Sequence, residues 1–452
     1  MQVEDIKEIL CNKQNHTNTF SVRGWVKSNR DSGKIGFCEV NDGSCLENMQ
    51  VVYKKESTTG FDEIKTARTG AAILATGVLK PNKNDPNVSE LIASQVVVLK
   101  QASTDYPLQK KQHSWEFLRD VAHLRPRTTT MAAIMRVRSV LSYAIHAFFQ
   151  SNDYLWIASP IITSNDAEGA GENFEITNDP KNPFFDKQGK LTVSGQLNAE
   201  AYAQAFGKVY TFGPTFRAER SHTSRHMAEF WMVEPEIAFI DLQQLIAVIE
   251  VFIKNIVKYV YEKCLPEINF FAKDKPHIIK RIEAIINKDF AKVEYKKAIE
   301  LLQQAKEQGV KFENDNIFFG MDLASEHERY VCEKIYNCPT FIYNYPKAIK
   351  AFYMKANSDN LTVASTDLLV EGVGEIVGGS QREDDYDKLM QRCSETKMDI
   401  SSIQWYLDLR KYGYHSSSGF GLGFERLIMY ILDLENIRET IPFPRVEGSL
   451  KF

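Results

Sequence analysis

The sequence predicts an α+β protein, in which a small β-barrel precedes a larger domain built on an antiparallel sheet flanked by helices. Strand-like runs with little helix between them fill residues 17–100, whereas apolar residues at helical spacing first appear after residue 130. Beyond that point, strand-like runs do not alternate regularly with helices, which argues against a doubly wound parallel sheet. Residues 265–346 are charged and lysine-rich, and we predict that they form a helical insertion in the second domain.

The composition is that of a globular protein with a sizeable core. Of 452 residues, 43% are hydrophobic and 25% are charged, which excludes a disordered or collagen-like chain. The 55 basic and 59 acidic residues give a net charge of −4, so any nucleic-acid binding must come from local patches. Seven cysteines without a CxxC pair argue against a disulfide framework. With no secretory leader or membrane-length apolar run in view, we expect a cytoplasmic protein that binds no membrane.

The predicted barrel spans residues 17–100 and follows an N-terminal extension of residues 1–16. Its five strand-like runs are Phe20–Lys27, Gly36–Val40, Met49–Tyr53, Ala71–Leu79 and Leu91–Leu99. Five strands in about 85 residues match the number and size of an OB-fold. The next segment begins polar and basic and contains Pro107, so we predict a linker or hinge over residues 101–129.

The second domain is predicted to span residues 130–452. It begins with an amphipathic helix that ends near Gln150 and whose apolar face is Ile134, Val137, Leu141, Ile145 and Phe148. A short apolar run then ends at Pro160. A long helix is predicted over residues 241–264, with Asp241 as its N-cap.

Several familiar catalytic motifs do not occur in this sequence. The chain has no GxxxxGK[ST] phosphate loop and no GxSxG nucleophile elbow. His222 and His226 are four residues apart, but Thr223 stands where a zinc protease has glutamate. We therefore expect chemistry without a Walker-type loop or a covalent side-chain nucleophile.

Three arginines and two histidines occur within residues 217–226, between two strand-like runs. Guanidinium groups bind phosphates bidentately and stay charged, so the segment predicts a pocket for a polyanionic phosphate. Phe230 offers a flat apolar surface for a base. The alternative is a solvated hairpin tip, although Arg217 lies near the end of an apolar run, where a solvated face would not need it.

Two further clusters are candidates for the same chemistry. In residues 418–430, three glycines precede an apolar helix with Arg426 in its first turn, where arginine is unfavourable for the helix dipole. Taken alone, a plain glycine-rich turn explains this cluster equally well. Asp367, Glu371 and Glu375 lie on a strand-like run, and such carboxylates suit magnesium bound through phosphates. Each of them alone would more often be a surface acid.

In this order, the clusters resemble motifs two and three of the class II aminoacyl-tRNA synthetases, with the acidic strand between them. Residues 153–160 are similar to motif one, with Pro160 as its expected proline. The order of barrel, linker and catalytic domain resembles the aspartate/asparagine/lysine subgroup, and the resemblance covers nearly the whole chain. The match is closest to the asparagine branch, because residues 193–200 have Ala199 where aspartyl members usually have a lysine that pairs with the substrate carboxylate. The resemblance therefore places Ala199 beside the substrate side chain.

The resemblance implies an OB-fold joined to a class II catalytic domain, and ATP-dependent activation of L-asparagine followed by transfer to the 3′ end of the asparagine tRNA. The implied catalytic residues are Arg217, Glu375 and Arg426. The implied asparagine contacts are Glu172, Gln196, Arg217 and Arg382. The implied ATP contacts are Arg217, Glu219, Arg225, His226, Phe230, Glu375, Gly423 and Arg426. Asp367 and Glu375 would hold Mg²⁺, although Gly378 stands where aspartyl members often have serine.

In the barrel, the resemblance implies an anticodon contact by Arg30, Phe37 and Gln50. Strand alternation alone leaves Phe37 equally compatible with the barrel core. The resemblance also implies a homodimer through motif one, with the apolar face of residues 134–160 at a two-fold interface. Two other functions stay open at this point. One is an aspartyl or non-discriminating synthetase, and the other is a synthetase-like nucleic-acid binder or amidating enzyme.

Overall fold

The computed structural model describes residues 3–11, 18–82, 85, 89–165, 173–177, 179, 181–182, 184–221 and 223–452. The chain forms two compact units, Met1–Ala133 and Ile134–Phe452. No helix among these described ranges is both long enough and apolar enough to cross a membrane. Each unit is built around the elements that carry its predicted site.

The first unit contains a closed five-stranded barrel, as the sequence predicts. The strands are β1 (Thr19–Asp31), β2 (Ile35–Asn41), β3 (Met49–Lys54), β4 (Ala72–Pro81) and β5 (Ser89–Lys100). They close in the order β1-β2-β3-β5-β4, and only the β3–β5 pair is parallel. The interior contains alternate apolar side chains such as Val22, Val40 and Ile73. Three short helices accompany the barrel, α1 (Ile6–Cys11), α2 (Phe61–Lys65) and α3 (Trp115–Asp120), the last of which lies within the predicted hinge.

The second unit is centred on an eight-stranded sheet in the order β12-β13-β14-β15-β16-β11-β10-β6. The strands are β6 (Leu155–Trp156), β10 (Lys208–Phe216), β11 (Glu229–Ala238), β12 (Ala291–Glu294), β13 (Thr340–Tyr343), β14 (Ser365–Val370), β15 (Gly374–Gln381) and β16 (Ser417–Gly423). The pairs from β13 to β10 are antiparallel, and β12 and β6 join in parallel. A separate small sheet contains β7 (Ile162–Thr163), β8 (Glu175–Ile176) and β9 (Gly189–Leu191).

Helices accompany this sheet, and several of them contact its strands. They are α4 (Thr129–Ser151), α5 (Gln196–Phe206), α6 (Leu242–Lys263), α7 (Leu265–Ala272), α8 (His277–Asn287), α9 (Tyr295–Glu307), α10 (Ser325–Arg329), α11 (Tyr386–Glu395), α12 (Ile400–Asp408) and α13 (Phe424–Leu432). Asp241 is the N-cap of α6, since it accepts from the Gln244 amide at 2.8 Å while Gln244 Oε1 accepts from the Asp241 amide at 3.0 Å.

Two details differ from the sequence-based expectation. The predicted apolar face of α4, including Ile134, Val137 and Leu141, is fully buried in the core of this chain, so it is not available as a subunit interface. Residues 265–346 contain the predicted helices but also contribute β12 and β13 to the main sheet. Strand β12 was missed because it has four residues and only one of them is buried, which leaves no clear period-two pattern.

The sheet order explains why clusters far apart in sequence form one site. The arginine-rich segment joins β10 to β11, the acidic run lies on β14 and β15, and the glycine-rich run is β16. These five strands are consecutive in the sheet. The residues predicted to carry the chemistry therefore lie on neighbouring strands.

Candidate active site

A cavity of about 550 Å³ lies over the central strands of the second unit. Its polar and charged lining residues include Gln196, Arg217, Glu219, Glu234, Lys350, Asp367, Glu375 and Arg382. A second cavity of about 160 Å³ shares Arg217, Glu219 and Glu375 with the first. The shared residues make these two cavities adjoining compartments of one site.

Arg217 stands between the two compartments. It directly follows β10, and its amide donates to the Ala228 carbonyl at 3.0 Å, which closes the base of the β10–β11 connection. Its guanidinium carbon lies 5.4 Å from the centre of the Phe230 ring. Its Nε is buried and has no hydrogen-bond partner in the described part of the chain. Because an unsatisfied buried donor is unfavourable, Arg217 is prepared to bind an anionic ligand.

The smaller compartment contains a cluster of basic side chains beside the acids Glu219, Glu375 and Glu425. Arg225, His226 and Arg426 all line it. Burial and the neighbouring charges of Arg329 and Arg426 lower the pKa of Arg225, and burial with Arg426 lowers that of His226. Neighbouring positive groups repel one another, and a bound polyanion such as a triphosphate chain relieves that repulsion.

Arg426 and its neighbour Glu425 have separate roles in the first turn of α13. Arg426 NH1 donates to the Glu375 carbonyl at 3.1 Å and faces the cavity. Glu425 is buried and accepts from the Trp231 amide at 2.9 Å and from Arg138 NH1 at 2.7 Å. Glu425 therefore fixes the helix to β11 and α4. Its negative charge is favourable at the helix N-terminus, whereas the positive charge of Arg426 is unfavourable there.

Asp367 and Glu375 converge on the cavity from β14 and β15. Gly378 is the strand partner of Asp367, and a Cβ atom at this position would lie 3.0 Å from Glu375 Oε1 and 3.4 Å from Asp367 Oδ1. A serine here would crowd both carboxylates, so glycine leaves room between them. The described residues contain no cluster of three or more metal-ligating side chains. This carboxylate pair therefore fits a hard cation whose other ligands are phosphate oxygens and water.

Lys350 was not predicted from the sequence, yet it contacts this acidic pair. Its Nζ lies 2.7 Å from Asp367 Oδ2 and 4.0 Å from the centre of the Tyr345 ring. Burial and Glu375 raise the pKa of Asp367 to about 6, and Lys350 opposes that shift. No sequence signal distinguishes this lysine from the many others in the chain.

At the other end of the larger cavity, Arg382 forms a buried two-point ion pair with Glu236. Its Nε donates to Glu236 Oε2 at 3.1 Å and its NH2 donates to Oε1, while NH1 donates to Ser380 Oγ at 2.7 Å. Glu236 is fully buried, and burial raises its pKa against the effect of Arg382. The charge of Arg382 is thus already shared before any ligand binds.

Comparison with known proteins identifies the family. Residues 115–447 match the family of tRNA synthetases class II (D, K and N), and residues 20–99 match the OB-fold nucleic acid binding domain. The chain belongs to the class II tRNA synthetases. It is 53% identical to the asparagine–tRNA ligase of Malacoplasma penetrans, with 100% of both chains covered. It is 54% identical to that of Ureaplasma urealyticum, with 95% of both covered.

A solved structure is also similar over the full length. The asparaginyl-tRNA synthetase from Pyrococcus horikoshii, complexed with asparaginyl-adenylate, has a TM-score of 0.90 and 33% sequence identity. The match covers 100% of this chain and 99% of that one. The α+β fold of this class II synthetase, with its N-terminal OB-fold, is thereby confirmed.

The structure brings most of the predicted ligand contacts of this synthetase into the two compartments. Those that line at least one compartment are Gln196, Arg217, Glu219, Arg225, His226, Phe230, Asp367, Glu375, Arg382, Gly423 and Arg426. Glu172 lies outside the described residues. Gln196 is buried, and its Nε2 has no hydrogen-bond partner among the described residues, which leaves it free for a ligand.

Sequence reasoning placed Ala199 beside the substrate side chain, and this placement was wrong. Ala199 is fully buried and packs with Ile157, Ala203 and Val209 in an apolar cluster. It lies three residues further along α5 than Gln196 and lines neither cavity. The next residue, Glu200, is also buried and pairs with Arg410.

Two acids of β11 were missed as well. Glu234 accepts from the Gly195 amide at 2.9 Å and from Thr211 Oγ1 at 3.0 Å, which fixes the loop before Gln196. Together with Glu236 it stands in the buried second half of β11, where the other residues are apolar. The sequence could have identified these two acids as candidates, because carboxylates in a buried strand need partners.

In the barrel, Phe37 is 41% exposed and is not part of the core. It pairs across β1 and β2 with the exposed Arg30. Gln50 lies on β3, and its amide nitrogen donates to Glu90. An exposed aromatic ring beside a cation and an amide is the arrangement that stacks and reads an unpaired base.

Proposed function

We propose that this chain is an asparagine–tRNA ligase, which activates L-asparagine with ATP and transfers it to the asparagine tRNA in protein synthesis. The observation that carries the proposal is the pair of adjoining compartments around Arg217. One compartment contains a cluster of basic side chains and suits a triphosphate chain, while the other ends at an arginine whose charge Glu236 already shares. The relatives named as asparagine–tRNA ligases support the same assignment.

The decisive test is ATP–pyrophosphate exchange with asparagine and aspartate side by side, with and without tRNA. Asparagine should support exchange, and aspartate should not. Exchange with aspartate alone would favour the aspartyl alternative, and no exchange with either amino acid would favour a binding protein without aminoacylation.

We infer that the reaction proceeds in two steps. The asparagine carboxylate attacks the α-phosphorus of ATP, a new C–O–P linkage forms, and the bond to the β-phosphate breaks to release pyrophosphate. The 3′-hydroxyl of the terminal tRNA ribose then attacks the adenylate carbonyl and AMP leaves. We assign Arg217 to the carboxylate and α-phosphate, where it stabilises the charge that develops in the first step.

We assign the other nucleotide contacts as the resemblance to the class II synthetases implies, and the side chains concerned line the two compartments. Glu219 binds the adenine edge and Phe230 stacks on its ring, while Gly423 leaves room for the nucleotide. Arg225, His226 and Arg426 hold the outer phosphates. No side chain forms a covalent bond, so catalysis consists of positioning and charge stabilisation.

We assign Asp367 and Glu375 to Mg²⁺, which supplies charge neutralisation to the phosphates when it is bound. Asp367→Asn and Glu375→Gln should each weaken Mn²⁺ binding in the presence of ATP, measured by electron paramagnetic resonance. The exposed Asp359 provides a matched control, because Asp359→Asn removes a carboxylate outside the cavities. Unchanged Mn²⁺ binding in both site variants would contradict the assignment.

We also assign the barrel face of Arg30, Phe37 and Gln50 to the anticodon. Phe37→Ala should leave ATP–pyrophosphate exchange unchanged and weaken tRNA charging, because the loss of one base stack costs about 1–3 kcal/mol. The measurement is KM for tRNA in aminoacylation. Leu99→Ala is the control, since Leu99 is an exposed apolar residue on a different strand of the barrel. Unchanged charging by folded Phe37→Ala would rule out the anticodon contact.

The enzyme is proposed to be a homodimer. Strand β6 ends the main sheet, and four apolar residues in and after it are 43–47% exposed: Leu155, Trp156, Ile161 and Ile162. Exposed apolar side chains are typical of a protein interface, and here Leu155 and Trp156 belong to the motif-one segment, while Ile161 and Ile162 directly follow it. Sedimentation at low micromolar concentration should give about twice the chain mass of 51.7 kDa. A fully active monomer would contradict this proposal.

The proposed location is the cytoplasm. All seven cysteines are free thiols, and four of them are buried: Cys38, Cys264, Cys332 and Cys393. Free thiols persist in a reducing compartment.

A further inference from the structure

Asn173 lines the larger cavity, and nothing in the sequence drew attention to it. Both polar atoms of its side-chain amide, Nδ2 and Oδ1, are buried. Neither atom has a hydrogen-bond partner within the described ranges. Buried amides in folded proteins are nearly always paired, and an unpaired one calls for an explanation. Here the explanation is a ligand, because the unpaired amide borders the cavity already assigned to substrate.

The chemistry of the ligand follows from what the amide needs. A side-chain amide offers two N–H donors and one carbonyl acceptor. A second carboxamide satisfies donor and acceptor at once, because its own carbonyl and NH₂ stand side by side in the complementary order. A carboxylate offers acceptors only, so it would leave Asn173 Oδ1 unpaired and facing a negative charge.

Other groups that line the cavity favour the same ligand. Arg382 shares its charge with Glu236 in a buried pair, so this arginine has little free positive charge to attract a carboxylate. Gln196 Nε2 is a second buried amide donor without a partner among the described residues, and it lines the same cavity. The cavity thus contains unpaired neutral amide groups beside a neutralised arginine.

We propose that Asn173 is a specificity-determining residue that binds the side-chain carboxamide of asparagine. Its Nδ2 donates to the substrate Oδ1, and its Oδ1 accepts from the substrate Nδ2. This inference rests on the proposed function. It adds a residue that distinguishes asparagine from aspartate, because a carboxamide both donates and accepts hydrogen bonds whereas a carboxylate only accepts them.

Two variants of nearly the same size as asparagine test the contact. Asn173→Leu removes donor and acceptor, and Asn173→Asp removes the donor and adds a negative charge. Asn182→Leu is the matched control, since Asn182 is exposed and lies outside both cavities. The readouts are KM and kcat for asparagine, aspartate and ATP in pyrophosphate exchange, and the melting temperature of each ligand-free protein.

Asn173→Leu should lower kcat/KM for asparagine by about 10- to 100-fold, leave KM for ATP unchanged, and affect aspartate much less. Asn173→Asp should also weaken asparagine use and should reduce any aspartate activation further. Asn173→Leu should not lower the ligand-free melting temperature, because it removes an unpaired buried amide. A purely structural role would lower that temperature instead.

The contrary results are equally clear. If the unchanged protein activates asparagine but Asn173→Leu keeps its kcat/KM and its preference over aspartate, the inference fails and the proposed function stands. A change in KM for ATP alone would assign Asn173 to the nucleotide and overturn the proposal. If the unchanged protein does not activate asparagine, the proposed function fails, and this inference fails with it.

Discussion

Replacing Arg217 with alanine should lower kcat for adenylate formation by about 100-fold or more while the protein stays folded. The guanidinium lines both compartments, and its buried Nε has no partner among the described residues. In the proposed mechanism it stands where the substrate carboxylate meets the α-phosphate, and charge grows there as the reaction proceeds. Because the interaction strengthens in the transition state, its loss should appear mainly in kcat rather than in KM.

Arg220→Ala is the matched control for this experiment. Arg220 belongs to the same connection between β10 and β11, but its side chain is 87% exposed and lines neither cavity. Asparagine-dependent pyrophosphate exchange and a thermal melt on both variants separate a catalytic loss from unfolding. Near-normal exchange by a folded Arg217→Ala variant would show that the assigned role is wrong.

The sequence identified the charged clusters of this site because each breaks a local pattern. Arg217 ends an apolar run, Arg426 stands in the first turn of a helix, and Asp367 and Glu375 lie on an apolar strand. Periodicity predicts that such strands exist but does not determine which strands are neighbours. The resemblance to the synthetases predicted that the clusters belong to one catalytic domain, and the sheet order shows that their strands are neighbours.

Sequence reasoning missed Lys350 and Glu236, which act through partners elsewhere in the chain. Lys350 contacts Asp367, and Glu236 contacts Arg382, which is 146 residues away. Glu236 left a signal, because a carboxylate in a buried strand needs a cation, whereas Lys350 left none. Only the folded chain shows which cation is adjacent to which acid.

The errors have a common origin, which is that an apolar or small residue carries no sign of what it packs against. The apolar face of α4 was assigned in part to a subunit interface, but the sheet and α6 bury it within this chain. Ala199 was assigned to the substrate pocket from its position in the motif, but α5 turns it into the apolar cluster with Ile157. Helical spacing identifies a buried face without naming its partner.

The unchanged protein should prefer asparagine to aspartate by about 10⁴ in kcat/KM, without an editing step. The two amino acids have nearly the same size, so shape cannot separate them. Arg382 already binds Glu236 through two nitrogen atoms, and that acid is fully buried. A substrate carboxylate would meet a shared cation and the nearby negative charge of Glu236, whereas a neutral amide meets no such repulsion.

Changing the acid tests this explanation better than changing Ala199. A lysine at position 199 would be buried among apolar side chains, so Ala199→Lys should lower stability and would not report on the pocket. Glu236→Gln instead keeps the shape and removes the charge that neutralises Arg382. This substitution should raise kcat/KM for aspartate relative to kcat/KM for asparagine, and so reduce the preference for asparagine.

Glu229→Gln is the control for this change, because Glu229 lies on the same strand and lines neither cavity. Thermal melts are needed for both variants, since Glu236→Gln leaves the buried Arg382 without its negative partner, and a buried charge without a partner destabilises the fold. A preference that stays at its original value in folded Glu236→Gln would show that the ion pair does not set the specificity. Equal activation of aspartate and asparagine by the unchanged protein would overturn the asparagine assignment itself and favour the aspartyl alternative.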